Sequence, residues 1–126
     1  MSQVLVDSSV WIEYFTSDTA HTAIDTLIDE NSICTNELIL TELLPFLHAK
    51  KEYELMEALY AIENVRLEIR WDVIRQMQIR NISHGINKVG IPDLIILQNV
   101  IENDLVLYTI DRHFTLMQKL FDFELY

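Results

Sequence analysis

Two short apolar runs, Val4-Leu5-Val6 and Leu105 to Ile110, each stop abruptly at an aspartate, Asp7 and Asp111. A run of aliphatic and β-branched residues with no polar face reads as a strand covered on both sides, as in a parallel sheet layered by helices. Right-handed crossovers carry such strands to the same sheet edge, so Asp7 and Asp111 are expected side by side at the carboxyl ends. In open α/β sheets that edge is where ligands bind.

The chain between these runs alternates in the same way. Ser8 or Ser9 can cap a short helix through Val10, Trp11, Ile12 and Phe15. Thr16 to Ala20 is a polar break, and His21 to Asp29 carries the stripe of an amphipathic helix at Ala23, Ile24, Leu27 and Ile28. Ser32 to Thr35 reads as a strand. A nearly continuous apolar helix follows from Glu37, capped by Asn36 or Thr35, and Pro45 must kink it or start a new segment. Lys51 to Glu63 predicts a further amphipathic helix, and Val65 to Ile69 alternates like a strand with one exposed face. Trp71 to Ile82 is helical, with Val73, Ile74, Met77 and Ile82 turned inward. Both glycines, Gly85 and Gly90, fall in the loop His84 to Ile91. Pro92 suits the first turn of a helix from Asp93 to Glu102. Phe114 to Leu120 gives a last helix and Phe121 to Tyr126 an edge strand. The expected architecture is a three-layer α/β/α sandwich with a mostly parallel central sheet, as one domain over residues 1–126.

Composition bounds the function. The formal net charge is −11, which opposes a broad grip on nucleic acid, because such binding rests on phosphate neutralisation. A polyanionic substrate must be held locally, by a metal and a confined basic patch. Half of the residues are hydrophobic, enough for a real core. No apolar stretch reaches the roughly 18 residues of a membrane span, and no signal-peptide pattern opens the chain, so a soluble cytoplasmic protein is expected. Cys34 is the single cysteine, in an apolar context, and reads as a core residue.

Four acids stand out: Asp7, Glu42, Asp93 and Asp111. Each aspartate has a structural reading as a cap or a helix-dipole partner. Glu42 is harder to explain that way, since its neighbours three and four positions away are Leu38, Ile39, Pro45 and Phe46. A carboxylate on an apolar face needs a compensating partner. Convergence of the four on Mg²⁺ or Mn²⁺, hard cations that take oxygen ligands, accounts for them together. Arg70, Arg75, Arg80 and Lys88 precede Asp93, and Arg112 and His113 follow Asp111. These bases are either a solvated surface or a phosphate-contacting rim, with Arg80, Lys88 and Arg112 the substrate-binding candidates. Two other classes stay open. A receiver-like phosphoacceptor domain would need a lysine after a late strand, where none of Lys50, Lys51, Lys88 or Lys119 stands. A catalytically silent binding module could keep the fold alone.

The chain resembles a PIN domain, and most of all the small toxin ribonucleases of VapC type. The resemblance lies in Val6-Asp7-Ser8-Ser9-Val10-Trp11-Ile12, Thr41-Glu42-Leu43-Leu44, Asp93-Leu94-Ile95-Ile96 and Tyr108-Thr109-Ile110-Asp111-Arg112-His113-Phe114. It implies a Mg²⁺- or Mn²⁺-dependent endoribonuclease acting on single-stranded or structured RNA, with Asp7, Glu42, Asp93 and Asp111 around the metal. By the same resemblance Ser9 orients Asp7 and Thr109 lines the site. It also implies a toxin paired with a small antitoxin that presents a basic segment. The apolar helices suggest a homodimer framed by His21 to Asp29 and Lys51 to Glu63. The chain departs from the family in its bulky and polar Ile96-Leu97-Gln98-Asn99, where small residues are usual. It also has Glu102-Asn103-Asp104 in place of a usual glycine.

Overall fold

The computed structural model describes residues 3–17 and 22–126. Its elements run β1 (Val4–Val6), α1 (Ser8–Thr16), α2 (Thr22–Asp29), β2 (Ile33–Thr35), α3 (Glu37–Ala49), α4 (Tyr53–Ala61) and β3 (Glu63–Asn64). They continue through α5 (Trp71–Ser83), α6 (Ile91–Glu102), β4 (Val106–Tyr108), α7 (Arg112–Met117) and β5 (Glu124–Leu125). The sheet order is β3-β2-β1-β4-β5 and every pairing is parallel. With helices over the sheet, this is the expected α/β sandwich.

β1 sits in the middle because it can afford to show no polar face. Val4, Leu5 and Val6 are all buried, with β2 on one side and β4 on the other. The strand order reverses at β1, since the chain moves outward to β2 and β3 and later returns to β4. A crevice therefore opens beyond the carboxyl ends of β1 and β4. The backbone N–H of Asp7 donates to Tyr108 O at 2.9 Å, which carries the β1–β4 pairing one residue past the strand.

α6 backs this crevice. Every residue from Leu94 to Val100 is buried, so the helix is surrounded rather than laid on a surface. The bulky Ile96 and Leu97 fill the core there. Asp104 adopts φ +51° just past the helix, the left-handed conformation for which a glycine is usual at this turn. Aspartate tolerates that region better than most residues, so the geometry survives the missing glycine.

Several elements differ from expectation. Val65–Ile69 forms no strand: β3 is the two residues before it, and the Val65 N–H donates to Thr35 O at 2.8 Å as the last rung. Beyond that, side chains of α6 hold the segment. Asn99 Nδ2 donates to Arg66 O at 3.0 Å, Gln98 Nε2 donates to Glu68 O at 2.7 Å, and the Arg70 N–H donates to Gln98 Oε1 at 3.1 Å. Polar side chains from a buried helix here replace a neighbouring strand, which periodicity cannot reveal. α3 runs through Pro45 without a new start. Asp7, not Ser8 or Ser9, caps α1. α4 and α7 are shorter than expected, and Ile82 faces outward. α2 begins at Thr22; His21 and the polar break at 18–20 lie outside the described residues. Among the described residues no helix is long and apolar enough to cross a membrane. Cys34 is buried, and desolvation, with the charge of Glu63 second, pushes its thiol up to about 12. It is an inert core residue at neutral pH.

Candidate active site

The crevice is built from strand ends and helix starts. Asp7 follows β1 and is buried, and its carboxylate is fixed on both oxygens. Oδ1 accepts the Ser8 N–H at 2.9 Å; Oδ2 accepts Ser9 Oγ at 2.8 Å and Thr109 Oγ1 at 2.9 Å. These bonds make Asp7 the cap of α1 and pin it in place at once. Thr109 Oγ1 also accepts the Asp111 N–H at 3.0 Å, so one hydroxyl ties the end of β1 to the turn after β4. Asp111 caps α7 by accepting the His113 N–H at 2.9 Å. That turn brings the imidazole back, leaving His113 Nδ1 at 3.3 Å from Asp111 Oδ1 and 4.0 Å from Asp93 Oδ2.

Asp93 stands in the first turn of α6, where Gly90 is the cap residue and Pro92 follows. Asp93, Asp111 and His113 each offer one atom within 4.8 Å of the others. Glu42 reaches in from α3. It is exposed at the mouth rather than buried on the apolar face its neighbours suggested, and Ser8 Oγ donates to its Oε1 at 3.3 Å. Partial desolvation of the carboxyl by the crevice wall and then the charge of Asp7 raise its pKa, while the Ser8 bond opposes this.

The electrostatics link all four acids. Burial, then the charges of Asp111 and Asp7 and a shared hydrogen bond with Asp111, push Asp93 from 3.8 up to about 7; His113 works the other way. A raised carboxyl favours the folded state when protonated. Its contribution is therefore full below the ordinary value near 3.8 and is lost as pH rises through about 7. Thermal melts in EDTA should show wild type losing stability relative to Asp93→Asn between pH 4 and 7. A constant difference would contradict the crowding of carboxylates.

The same crowding decides what could occupy the site. Hard carboxylate oxygens face one another, and His113 is the one basic group within ion-pair distance of them among the described residues. This donor set fits Mg²⁺ or Mn²⁺. Of the basic candidates, Arg112 lines a cleft with Asp111 and His113. Lys88 sits at the tip of the neighbouring loop with φ +68°. Arg80 lies 5.2 Å over the Phe121 ring, in a groove on the outer face of α5 that shares no lining residue with the acid cluster. His113 was only a marginal candidate from the sequence. Its signal was the Asp-x-His spacing across a helix cap, which folds the imidazole onto the carboxylate.

The parallel sheet thus gathers its acids at the strand-order reversal, where open α/β sheets bind ligands, with oxygen donors suited to a hard divalent cation. The sequence matches the PIN domain family over residues 4–120, and the chain belongs to that family. No curated protein matches the sequence significantly. Solved structures share the fold. The DNA-bound VapBC of Salmonella typhimurium is similar with TM-score 0.73 and 18% identity, covering 91% of this chain and 92% of that one. VapBC2 of Rickettsia felis, bound to a promoter DNA fragment, has TM-score 0.73 and 15% identity, covering 98% and 96%. VapC20 of Mycobacterium tuberculosis, a toxin that cleaves the sarcin–ricin loop, has TM-score 0.59 and 17% identity, covering 90% and 94%.

Proposed function

We propose that this chain is a Mg²⁺- or Mn²⁺-dependent endoribonuclease, the toxin of a toxin–antitoxin pair. The observation that carries the reading is the gathering of Asp93, Asp111 and His113 within 4.8 Å at one strand-end crevice, with Asp7 tied to Asp111 through the Thr109 hydroxyl and Glu42 bonded by Ser8 at the mouth. Asp7, Glu42, Asp93 and Asp111 would hold the cation, with His113 at the edge of the set. A bound divalent cation supplies charge neutralisation at the phosphate and a water of lowered pKa.

The chain's own residues do the rest. Ser9 and Thr109 hold Asp7 in one orientation, so its charge is positioned before substrate arrives. Asp93 must lose its proton to act as a ligand, which ties metal affinity to a pH near 7. His113, when protonated, offsets the negative charge of Asp93 and Asp111 as a phosphate approaches. Arg112, beside Asp111, and Lys88, on the loop, are the bases we assign to the flanking phosphates, with Arg80 at a more distant rim.

Two measurements test the reading. Saturating Mn²⁺ or Mg²⁺ should stabilise the fold, by about 2.7 kcal/mol at a hundredfold excess over Kd, and Asp93→Asn should remove most of it. Single-stranded RNA should be cut with either metal and left intact in EDTA. No cleavage of any RNA by a folded, metal-binding protein would favour a silent PIN-fold module instead.

For partners, we propose a small antitoxin that puts an Arg or Lys among the carboxylates. The acidic crevice and the VapBC assemblies among the similar structures support it. A homodimer framed by α2 and α4 is supported by exposed Ile28 on α2 and exposed Tyr53 and Tyr60 on α4. Light scattering at micromolar concentration should return twice the chain mass; a monomer rejects the dimer.

A further inference from the structure

Beside the acids lies a second feature that their chemistry does not use. A cleft of about 600 Å³ opens between the loop after α5 and the start of α7, lined by Ile86, Asn87, Ile110, Arg112, His113 and Leu116. It is continuous with the candidate site, since Asp111 and His113 belong to both. Its size falls in the range of small-molecule clefts, roughly 300–1,000 Å³, well beyond an ion or a water.

Its walls are of two kinds. Ile110 is 56% exposed although it directly precedes a site aspartate, and Leu116 is also exposed, so an apolar shelf faces solvent next to a polar centre. Arg112 and His113 add a guanidinium and an imidazole, and Asn87 offers an amide. The Asn87 Nδ2 makes only a 3.5 Å contact with Gly85 O, at the limit of a hydrogen bond, so its donor and acceptor remain available.

The loop side is fixed in advance. Ile86 is buried and its N–H donates to Asn81 O at 2.8 Å; Gln78 Nε2 donates to Val89 O at 2.7 Å. Gly85 supplies the turn with φ +76°. The wall carrying Asn87 therefore costs little to order on binding.

We propose that this cleft takes one unstacked base of single-stranded RNA, seating the attached phosphate at the neighbouring acids. Ile110 and Leu116 form the platform under the ring, the Arg112 side chain covers or flanks it, and Asn87 reads its edge. An apolar shelf to cover one face, a guanidinium plane on which a ring can stack and an amide for its edge are groups that hold a splayed-out base. The proposal rests on the nuclease reading for the placement of the phosphate, but not for the base contact itself.

Ile110→Asp and Asn87→Ala test it, both at exposed positions, with melting temperatures confirming the fold. Binding of labelled seven-nucleotide RNAs, each a homopolymer, is measured by anisotropy in the Asp7→Asn background so that the RNA stays intact. Ile110→Asp should weaken binding about tenfold for all four bases. Asn87→Ala should reduce the ratio between the best and worst base about tenfold. In the otherwise wild-type protein, Ile110→Asp should act mainly through KM. If RNA is cut normally and neither variant changes binding or KM by more than twofold, the base subsite is rejected, the nuclease reading stands, and the cleft is left to a protein partner. If no RNA is cut but binding follows the expected pattern, the subsite stands and the nuclease reading fails. If no RNA is bound or cut, both fail.

Discussion

If the proposed nuclease activity holds, Asp7→Asn is expected to lower kcat/KM for RNA cleavage by on the order of 10³ while leaving the fold intact. Asparagine keeps an oxygen for the Ser8 N–H, and the hydroxyls of Ser9 and Thr109 can rotate to accept from the new amide. What is lost is the charge. In the metal-free protein that loss removes repulsion, because Asp7 raises the pKa of both Glu42 and Asp93. The variant should therefore melt no lower than wild type in EDTA, yet gain less from Mn²⁺. Thr109→Val, which loosens Asp7 without removing its charge, should cost a smaller factor of about 10–100. Steady-state kinetics beside metal-dependent melts separate these cases. Activity within tenfold of wild type in folded Asp7→Asn would remove Asp7 from the reaction.

The largest stability loss from a single polar side chain is expected at Asn99. Asn99 is buried in α6, accepts Asn36 Nδ2 at 2.9 Å and donates to Arg66 O at 3.0 Å. Asn36 in turn caps α3 by accepting the Ile39 N–H at 2.9 Å. Leucine at 99 conserves volume but strands a buried amide and a backbone carbonyl. At about 1–3 kcal/mol for each unsatisfied group, the gross loss is about 2–6 kcal/mol. The extra apolar contact recovers only part of that, so desolvation wins. Asn36 heads the helix that carries Glu42, and Asn99 lies on the helix that carries Asp93, so the same change should also lower activity. Urea unfolding of Asn99→Leu, Asn36→Ala and the double variant gives the coupling. Additive losses would show that the two amides act independently.

The order of the elements was legible in the chain because it depends on local pattern. Val4 to Val6 has no polar face and is a covered strand as expected, whereas the run Leu105 to Ile110 pairs only over Val106–Tyr108, half-buried at both ends and with Ile110 exposed; the helices between the two runs make the sheet parallel. Asp7 and Asp111 could be placed at one edge from that topology alone, and the motif around Glu42 and Asp93 brought the remaining acids into view. The sequence could not show the identity of the caps, because Asp7, Ser8 and Ser9 are all good cap residues and only the approach of Thr109 from β4 selects Asp7. Nor could it show that Val65–Ile69 leaves the sheet. Alternation there satisfies the rule for a strand, but Gln98 and Asn99, some thirty positions away, take its backbone hydrogen bonds. The exposure of Glu42, the return of His113 onto Asp111 and the cleft beneath Ile110 share that character. Each is fixed by groups from distant parts of the chain that meet only when the sheet closes, and spacing along a sequence carries no record of such meetings.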